Sequence, residues 1–179
     1  PVLAYQYSEA VQQQGYSSNW DDYTLSEFTY SHFALFAMAP VIFINVLDIT
    51  VHKKSVAATD LSLQERKVTI DAPVILTSLV VRLAAAGQPL VKDVDYVAAY
   101  DNNEQLIITA IEGGAIPAEQ TTLNVAYNEV DPTMVTKDDI IGGVDINTGQ
   151  YRGLELINTI FTYFRLIPGQ ILAPKWSTD

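Results

Sequence analysis

The chain has 179 residues, of which 49% are hydrophobic, so it is long and apolar enough to form one domain or two small ones. Its net charge of −11 disfavours direct binding to nucleic acids or anionic membranes, because both require a basic surface. The absence of cysteine excludes disulfides and thiolate metal sites, and the sequence shows neither a signal peptide nor an apolar run long enough to cross a bilayer.

The N-terminal residues predict a short strand followed by a short helix. Residues 2–5 have the composition of a strand. Ser8 and Glu9 suit the start of a helix, where a side chain caps free amides and a negative charge meets the helix dipole. Gly15 tolerates the positive φ at which many helices end, so we expect the helix to stop there.

A second helix is predicted between Thr24 and Pro40. Thr24 and Glu27 have the spacing of a capping box, in which each side chain accepts a hydrogen bond from the other residue's amide. Apolar residues then recur at helical spacing, and Pro40 ends the helix because the residue before a proline disfavours helical angles. The almost continuous apolar run at 41–47 is typical of a strand covered on both faces, as in a parallel sheet.

The pattern changes at Asp48 to alternation and turns, which continue to about Ile141. The segments that predict strands combine β-branched or aromatic residues with flanking turn residues, and they are 67–70, 74–83, 95–100, 105–111 and 121–127. Asp and Asn residues join 95–100 to 105–111 and predict a hairpin, since both tolerate left-handed turn angles. We expect four to six strands of an antiparallel β-sandwich or small β-barrel.

The C-terminal part returns to a helix-and-strand pattern. Residues 152–166 predict an amphipathic helix, which Pro168 and Gly169 interrupt before an apolar strand at 170–173. The residues predicted to form its buried face are Leu154, Ile157, Ile160, Phe161 and Phe164. We expect this strand to lie beside 41–47 in one parallel sheet, joined by a right-handed connection.

The predicted fold class is therefore α+β or α/β. A partial α/β sandwich scaffold domain, formed by residues 1–48 and 138–179, is interrupted by an inserted antiparallel β domain at 49–137. Such insertions are tolerated when the two junctions lie close together at the surface. Excision of about 49–136 should then leave a folded remnant. We also interpret both chain ends as positions inside a larger protein.

His32 and His52 are the histidines available for acid–base or metal chemistry. His32 falls among the apolar positions of the predicted helix and is interpreted as a packed or rim residue. His52 precedes Lys53 and Lys54 and is interpreted as a solvated residue. Neither accompanies a serine or cysteine in a nucleophile-elbow motif.

The turn at 145–149 (DINTG) resembles a calcium loop superficially, but Gln150 occupies the position that needs glycine and Leu156 replaces the closing glutamate. We expect a compact turn instead. Adjacent pairs without functional spacing are interpreted as turns or solvated charges: Gly113 and Gly114, Gly142 and Gly143, Asp21 and Asp22, and Asp138 and Asp139. The sequence therefore predicts no catalytic, cofactor-binding or metal-binding residue, and no cofactor.

Three stretches, taken in order, resemble the central part of the tail sheath proteins of contractile bacteriophage tails and related prophage particles. They are 1–48, ending in VIFINVLD; 94–132, with QLIITAI and LNVAYNEVDP; and 139–174, with DIIGGVD, TGQYRGL and PGQILAP. The order of strand, insertion, D-x-x-T-G-x-x-x-G-L, helix and apolar strand carries the resemblance over nearly the whole chain.

This resemblance implies a structural subunit and not an enzyme. Sheath subunits stack as hexameric rings around a tail tube protein, between baseplate and tail terminator, and contract to drive the tube through the host envelope. The implied location is the virion tail, after assembly in the host cytoplasm. The inserted β domain would face outward, and this fragment, lacking the arms that link neighbouring subunits, would be monomeric.

A different class of function remains open: a non-catalytic β module on an α/β base that binds carbohydrate or protein. An exposed aromatic pair in the middle block would favour this function, and the aromatic residues there are Tyr96, Tyr100 and Tyr127. A second group of aromatic residues lies in the first thirty residues and consists of Tyr5, Tyr7, Tyr16, Trp20, Tyr23 and Tyr30. We interpret it as a domain core or a subunit interface, both of which are enriched in aromatic residues.

Overall fold

The computed structural model describes residues 1–176. Over these residues the chain divides into two compact units. Ile49–Asp131 forms the middle unit, and residues 1–48 together with the described residues from 132 onward form the split unit.

The strands of the described residues form antiparallel ladders. In chain order they are β1 (Val2–Ala4), β2 (Val41–Phe43), β3 (Lys53–Ser62), β4 (Lys67–Ile70), β5 (Val80–Arg82), β6 (Tyr96–Tyr100), β7 (Leu106–Ala110), β8 (Thr122–Val130), β9 (Gly143–Val144) and β10 (Tyr151–Arg152). The α-helices are α1 (Tyr7–Gln14), α2 (Thr24–Thr29), α3 (Lys137–Ile141) and α4 (Ile157–Phe164). A π-helical stretch, Tyr30–Leu35, follows α2, and a 3₁₀ turn, Gly153–Leu156, precedes α4.

The middle unit contains two antiparallel sheets, with strand orders β3-β8-β5 and β4-β7-β6. The hairpin predicted around the Asp and Asn turn is confirmed, since Tyr96 pairs with Ala110 at one end and Tyr100 with Leu106 at the other. The alternation at 67–70 also holds, because β4 buries every second residue. No sheet in the described part of the chain closes into a barrel, so the small-barrel alternative is wrong.

One hydrophobic core serves both sheets of the middle unit. Its fully buried side chains come from four strands and are Leu106, Ile108, Leu123, Val68, Val81 and Val125. Since these side chains point from β4 and β7 on one sheet and from β5 and β8 on the other, the two sheets share a single interior.

The split unit has a smaller interior. β1 pairs with β2, with Leu3 opposite Ile42, and α1 and α2 pack near this ladder around Ala4, Ala10 and Phe43. After residue 131 the chain forms α3, the β9–β10 hairpin and α4, of which Ile160 is buried. Helix α4 is shorter than the predicted span of 152–166, because Gly153–Leu156 is 3₁₀.

The predicted parallel pairing of 41–47 with 170–173 is wrong. The strand at 41–47 is confined to Val41–Phe43 and pairs antiparallel with β1. The side chain of Asn45 accepts a hydrogen bond from the Leu47 amide (2.9 Å), which favours a turn over a longer strand. Residues 170–173 form no strand, and Pro168 and Pro174 on either side lack the amide that a ladder needs.

Two predicted helix caps are also wrong in detail. Helix α1 begins at Tyr7, with Gln6 and not Ser8 at the N-cap, while Glu9 accepts a hydrogen bond from the Tyr5 amide (2.8 Å). Thr24 lies inside the first turn of α2, so the expected capping box with Glu27 does not form. The predicted end at Gly15 is confirmed, with φ of 77°.

Candidate functional site

His32 belongs to the split unit and His52 to the middle unit. His32 is half-buried and stacks on Phe28 with ring centroids 3.7 Å apart, as a packed or rim residue would. His52 is 4% exposed, so its interpretation as a solvated residue is wrong. Its carbonyl accepts a hydrogen bond from the Asp131 amide (3.0 Å), which extends the β3–β8 ladder and draws His52 into the unit.

The 145–149 segment forms the compact turn that the sequence predicts. The Asp145 Oδ1 atom accepts hydrogen bonds from the Asn147 amide (2.8 Å) and the Thr148 amide (3.1 Å). These bonds favour the ionised carboxyl, so the pKa of Asp145 is lowered. Gly149 has φ of 68° and donates its amide to the Asp145 carbonyl (2.7 Å). The carboxylate thus orders its own turn.

The paired carboxylates have local structural roles. Asp139 accepts hydrogen bonds from the Thr136 amide (2.8 Å) and hydroxyl (2.7 Å), forming a capping box at the start of α3. Asp22 accepts from the Asn19 side chain (2.8 Å), and Asp21 lies 3.5 Å from the Lys175 ammonium. The glycine pair at Gly113 lies at a turn, as predicted. The prediction of a turn is wrong for the other pair, because Gly142 is the C-cap of α3 and Gly143 begins β9.

The N-terminal aromatic residues contact one another within the split unit. Tyr7 packs edge-on against Tyr16 (5.8 Å between centroids), and Trp20 lies 5.4 Å from Tyr30. The Trp20 indole donates to the Tyr16 hydroxyl (3.1 Å). The pKa of Tyr7 is raised, mainly because burial disfavours the ionised phenolate, and the neighbouring Tyr16 raises it further. None of these four rings is fully buried, and none belongs to the hydrophobic cluster around Ala4, Ala10 and Phe43, so the interpretation of these aromatic residues as a domain core is not confirmed.

The described residues provide little that suits a small ligand. No group of three or more His, Cys, Asp or Glu side chains among residues 1–176 could hold a metal ion. An open groove of about 290 Å³ beside β4 is lined by Leu61, Ser62, Gln64, Lys67, Val68 and Thr69. This lining combines a lysine with small polar and apolar groups, so it does not pair an acid with a base. No helix in the described part of the chain is long and apolar enough to span a bilayer.

The aromatic residues of the middle unit do not form a stacking platform. Tyr96 is buried, and the Tyr100 hydroxyl donates to the Val74 carbonyl (2.8 Å). No ring pair occurs within the described middle unit, whose rings would have to supply the exposed aromatic pair of a carbohydrate-binding face.

The split unit exposes many large hydrophobic side chains. Large hydrophobic side chains are exposed after α2 and along the C-terminal segment: Leu35, Phe36, Met38, Ile141, Val144, Ile146, Phe161, Tyr163, Ile167, Ile171 and Leu172. Residues of this kind mark surfaces that bind other proteins when they occur together. Periodicity correctly placed Ile160 in the interior, but it also predicted burial of Phe161, which is exposed.

The most exposed of these hydrophobic side chains lies on the β9–β10 hairpin. Tyr151 pairs with Val144, and the tip residue Ile146 is 96% exposed. The sequence analysis did not identify Ile146 as functional, although an isoleucine within an otherwise polar turn was a visible signal.

Comparison with known proteins finds a similarity to a phage tail sheath protein. The chain is 30% identical over 147 residues to the tail sheath protein of Burkholderia phage BcepMu, an alignment that covers 78% of this chain and 28% of the phage protein. The chain thus spans about 28% of the length of this relative. No family model matches the chain. No solved structure matches it.

The aligned region is longer than either structural unit and must therefore include residues of both. The similarity is a property of the chain as a whole and not of one shared module. The chain is therefore similar, over most of its length, to part of a phage tail sheath protein.

Proposed function

We propose that this chain is part of a subunit of a contractile tail sheath, in a phage or a phage-derived particle. The observation that carries this proposal is the 30% identity to a tail sheath protein over an alignment that reaches both units. The exposed apolar side chains of the split unit support it, because a subunit in an assembly buries such residues against its neighbours.

In this proposal the full-length subunit polymerises as hexameric rings around the tail tube protein, between baseplate and tail terminator. Contraction drives the tube through the host envelope for genome ejection. The energy for contraction is held in subunit contacts that have two alternative arrangements. The role is non-enzymatic and requires no cofactor. Assembly takes place in the host cytoplasm, and the product is the virion tail.

We further propose that the middle unit is an inserted domain on the outside of the sheath. The structure of that unit supports its independence, since both of its sheets share one core. The 179-residue chain alone would be monomeric at micromolar concentration. Sedimentation of a stable hexamer under those conditions would contradict this last point.

Antibodies raised against the chain provide the test. Immunogold labelling of particles from the strain that encodes it should decorate the tail along its length, in both extended and contracted particles. Labelling confined to the capsid, or to the tail tip, would overturn the sheath function. Preadsorption of the antibodies with the purified chain should abolish the label.

A further inference from the structure

We propose that the tip of the β9–β10 hairpin binds, on a second copy of this chain, an exposed patch formed by Ile49, Val51 and Lys53. This patch is called the basic edge below. The inference rests on the proposed function, which brings copies of the chain side by side, and it names one contact between them.

The hairpin tip is held in shape before any partner arrives. The Asp145 amide donates to the Gln150 carbonyl (2.9 Å), and the Gly149 amide donates to the Asp145 carbonyl (2.7 Å). The two amide hydrogen bonds to the Asp145 side chain fix the intervening residues. Because the turn is already ordered, Ile146 can be buried in an interface without a further entropic cost for the loop.

The basic edge lies where β3 begins. Val51 is 60% exposed, and Ile49 beside it is also exposed. The Lys53 side chain forms no ion pair or hydrogen bond with the described residues, whereas its neighbour Lys54 is paired with Glu129 (2.7 Å). The edge therefore offers an apolar surface and an unpaired cation.

The two surfaces complement each other in charge and in apolar character. The hairpin offers Ile146 next to the Asp145 carboxylate, which stays ionised because its turn hydrogen bonds lower the pKa of the group. The basic edge offers Val51 and, two residues along, Lys53. These two residues lie at the turn that enters β3, where the Lys53 amide donates to the Val51 carbonyl (2.9 Å) and holds the two residues close together. Ile146 can therefore contact Val51 while the carboxylate faces the ammonium.

The geometry of the assembly follows from this pairing. The two surfaces belong to different parts of one chain, so the contact between copies is heterologous. Contacts of this type repeat from copy to copy and form rings or open helical filaments. A sheath subunit, as proposed above, requires arrangements of this kind.

The absence of cysteine from the chain makes the contact directly testable. Ile146→Cys and Val51→Cys would be purified separately, mixed at high micromolar concentration and oxidised with diamide. We expect the mixed disulfide to form several-fold faster than for Ile146→Cys mixed with Val97→Cys, whose valine is 43% exposed on β6. Adding Lys53→Glu should slow the reaction several-fold and Lys92→Glu should not, since Lys92 lies outside the basic edge.

The result separates this inference from the proposed function. Equal rates for the Val51 and Val97 pairs would overturn the hairpin contact, and immunogold labelling along the tail would still support the sheath function. Fast, Lys53-dependent formation of the mixed disulfide would support the contact even if labelling failed. Unfolding curves of each single-cysteine variant that match the parent chain show that differences in rate do not arise from misfolding.

Discussion

The middle unit and the split unit differ in how they use their apolar residues. Among the described residues, the middle unit buries thirteen hydrophobic residues in one cluster that both sheets share. The corresponding cluster of the split unit contains three, Ala4, Ala10 and Phe43. Large apolar side chains are exposed in both units, but among the described residues the split unit has more of them, including Phe36 and Ile146.

This difference leads us to expect that the middle unit is stable by its own contacts and the split unit is not. Burial of apolar surface is the main favourable term in folding, and it must offset the conformational entropy of every ordered residue. We expect the thirteen buried residues of the middle unit to meet this requirement. The split unit leaves apolar surface in contact with water, which a partner would cover in an assembly.

Expressing the two units separately is the strongest test of the difference in their stability. We expect residues 49–131, expressed alone, to unfold in one cooperative urea transition. The two outer segments joined by a short linker should bind the dye ANS and unfold without a sharp transition, because their exposed apolar surface dominates. The sequence predicted a folded remnant. A remnant that unfolds cooperatively and does not bind ANS would show that the exposed surface is compatible with independent folding.

A cavity in the middle core should produce the next largest effect. Leu106 is fully buried at the junction of the two sheets, so Leu106→Ala should lower the free energy of unfolding by about 2–5 kcal/mol. The matched change Leu106→Met should cost less than about 1.5 kcal/mol. Ile146→Ala in the split unit should stay within about 0.5 kcal/mol, since its side chain has no packing to lose. Urea titrations of the three variants measure these values.

Two glycines of the split unit allow steric and conformational costs to be separated. Gly142 and Gly149 both have positive φ, of 73° and 68°. A Cβ on Gly142 would lie 1.9 Å from the Arg152 carbonyl oxygen, whereas one on Gly149 would meet nothing within 4 Å. Gly149→Ala should therefore cost about 1–2 kcal/mol for the left-handed conformation alone.

Gly142→Ala should cost more than Gly149→Ala, because the β9–β10 hairpin must move away from α3 to admit the methyl group. Thermal unfolding of both variants, with amide exchange of the split unit, tests the order. Equal losses would show that the close approach of Gly142 to Arg152 is not rigid. The middle unit should be unaffected in either variant.

Sequence reasoning succeeded where local chemistry decides the structure. The β6–β7 hairpin follows from Asp and Asn in its turn, with the Asp101 side chain accepting hydrogen bonds from the Asn103 amide (2.8 Å) and the Gln105 amide (2.9 Å). The 145–149 turn follows from the same chemistry. In both places the residues that specify the turn also make its contacts.

Sequence reasoning failed where distant contacts decide. The ten-residue strand β3 was not predicted, because it lies at the edge of its sheet and most of its side chains are exposed, so little alternation marks it. The parallel pairing of 41–47 with 170–173 was inferred from apolar composition, which does not determine the partner of a strand. For the same reason, periodicity identified the apolar face of α4 but did not show that Phe161 is uncovered.

Helix capping provides a smaller test in the split unit. Thr136 and Thr24 precede an acidic residue at the same spacing, yet a capping box forms at Thr136 and not at Thr24, where Tyr23 is the N-cap. We expect Thr136→Ala to cost about 1 kcal/mol and Thr136→Ser to be nearly neutral. Thr24→Ala should have little effect, within about 0.5 kcal/mol. A larger loss for Thr24→Ala than for Thr136→Ala would contradict the assignment of the caps.

The stability of the middle unit should depend on the ionised carboxylate of Asp95 at low pH. The buried Asp95 carboxylate accepts hydrogen bonds from the Val91 amide (2.7 Å) and the Ala115 amide (2.9 Å), and these bonds lower its pKa. Because the folded pKa lies below the unfolded value of about 3.9, the stabilisation is fully present above that value and is lost as pH falls through the folded pKa. Asp95→Asn should therefore lower the urea midpoint at pH 7 and reduce its fall below about pH 4.

The control Asp71→Asn, at an exposed position, should leave both the midpoint and its acid dependence unchanged.

Asp145 provides the corresponding test in the split unit, because its two amide hydrogen bonds are of the same kind but order a turn of that unit. Asp145→Asn should loosen that hairpin, seen as faster amide exchange at Asn147 and Thr148, while the urea midpoint of the middle unit stays constant. A shift of that midpoint by Asp145→Asn would mean that the two units unfold as one, and the contrast between a self-sufficient unit and a dependent one would then be wrong.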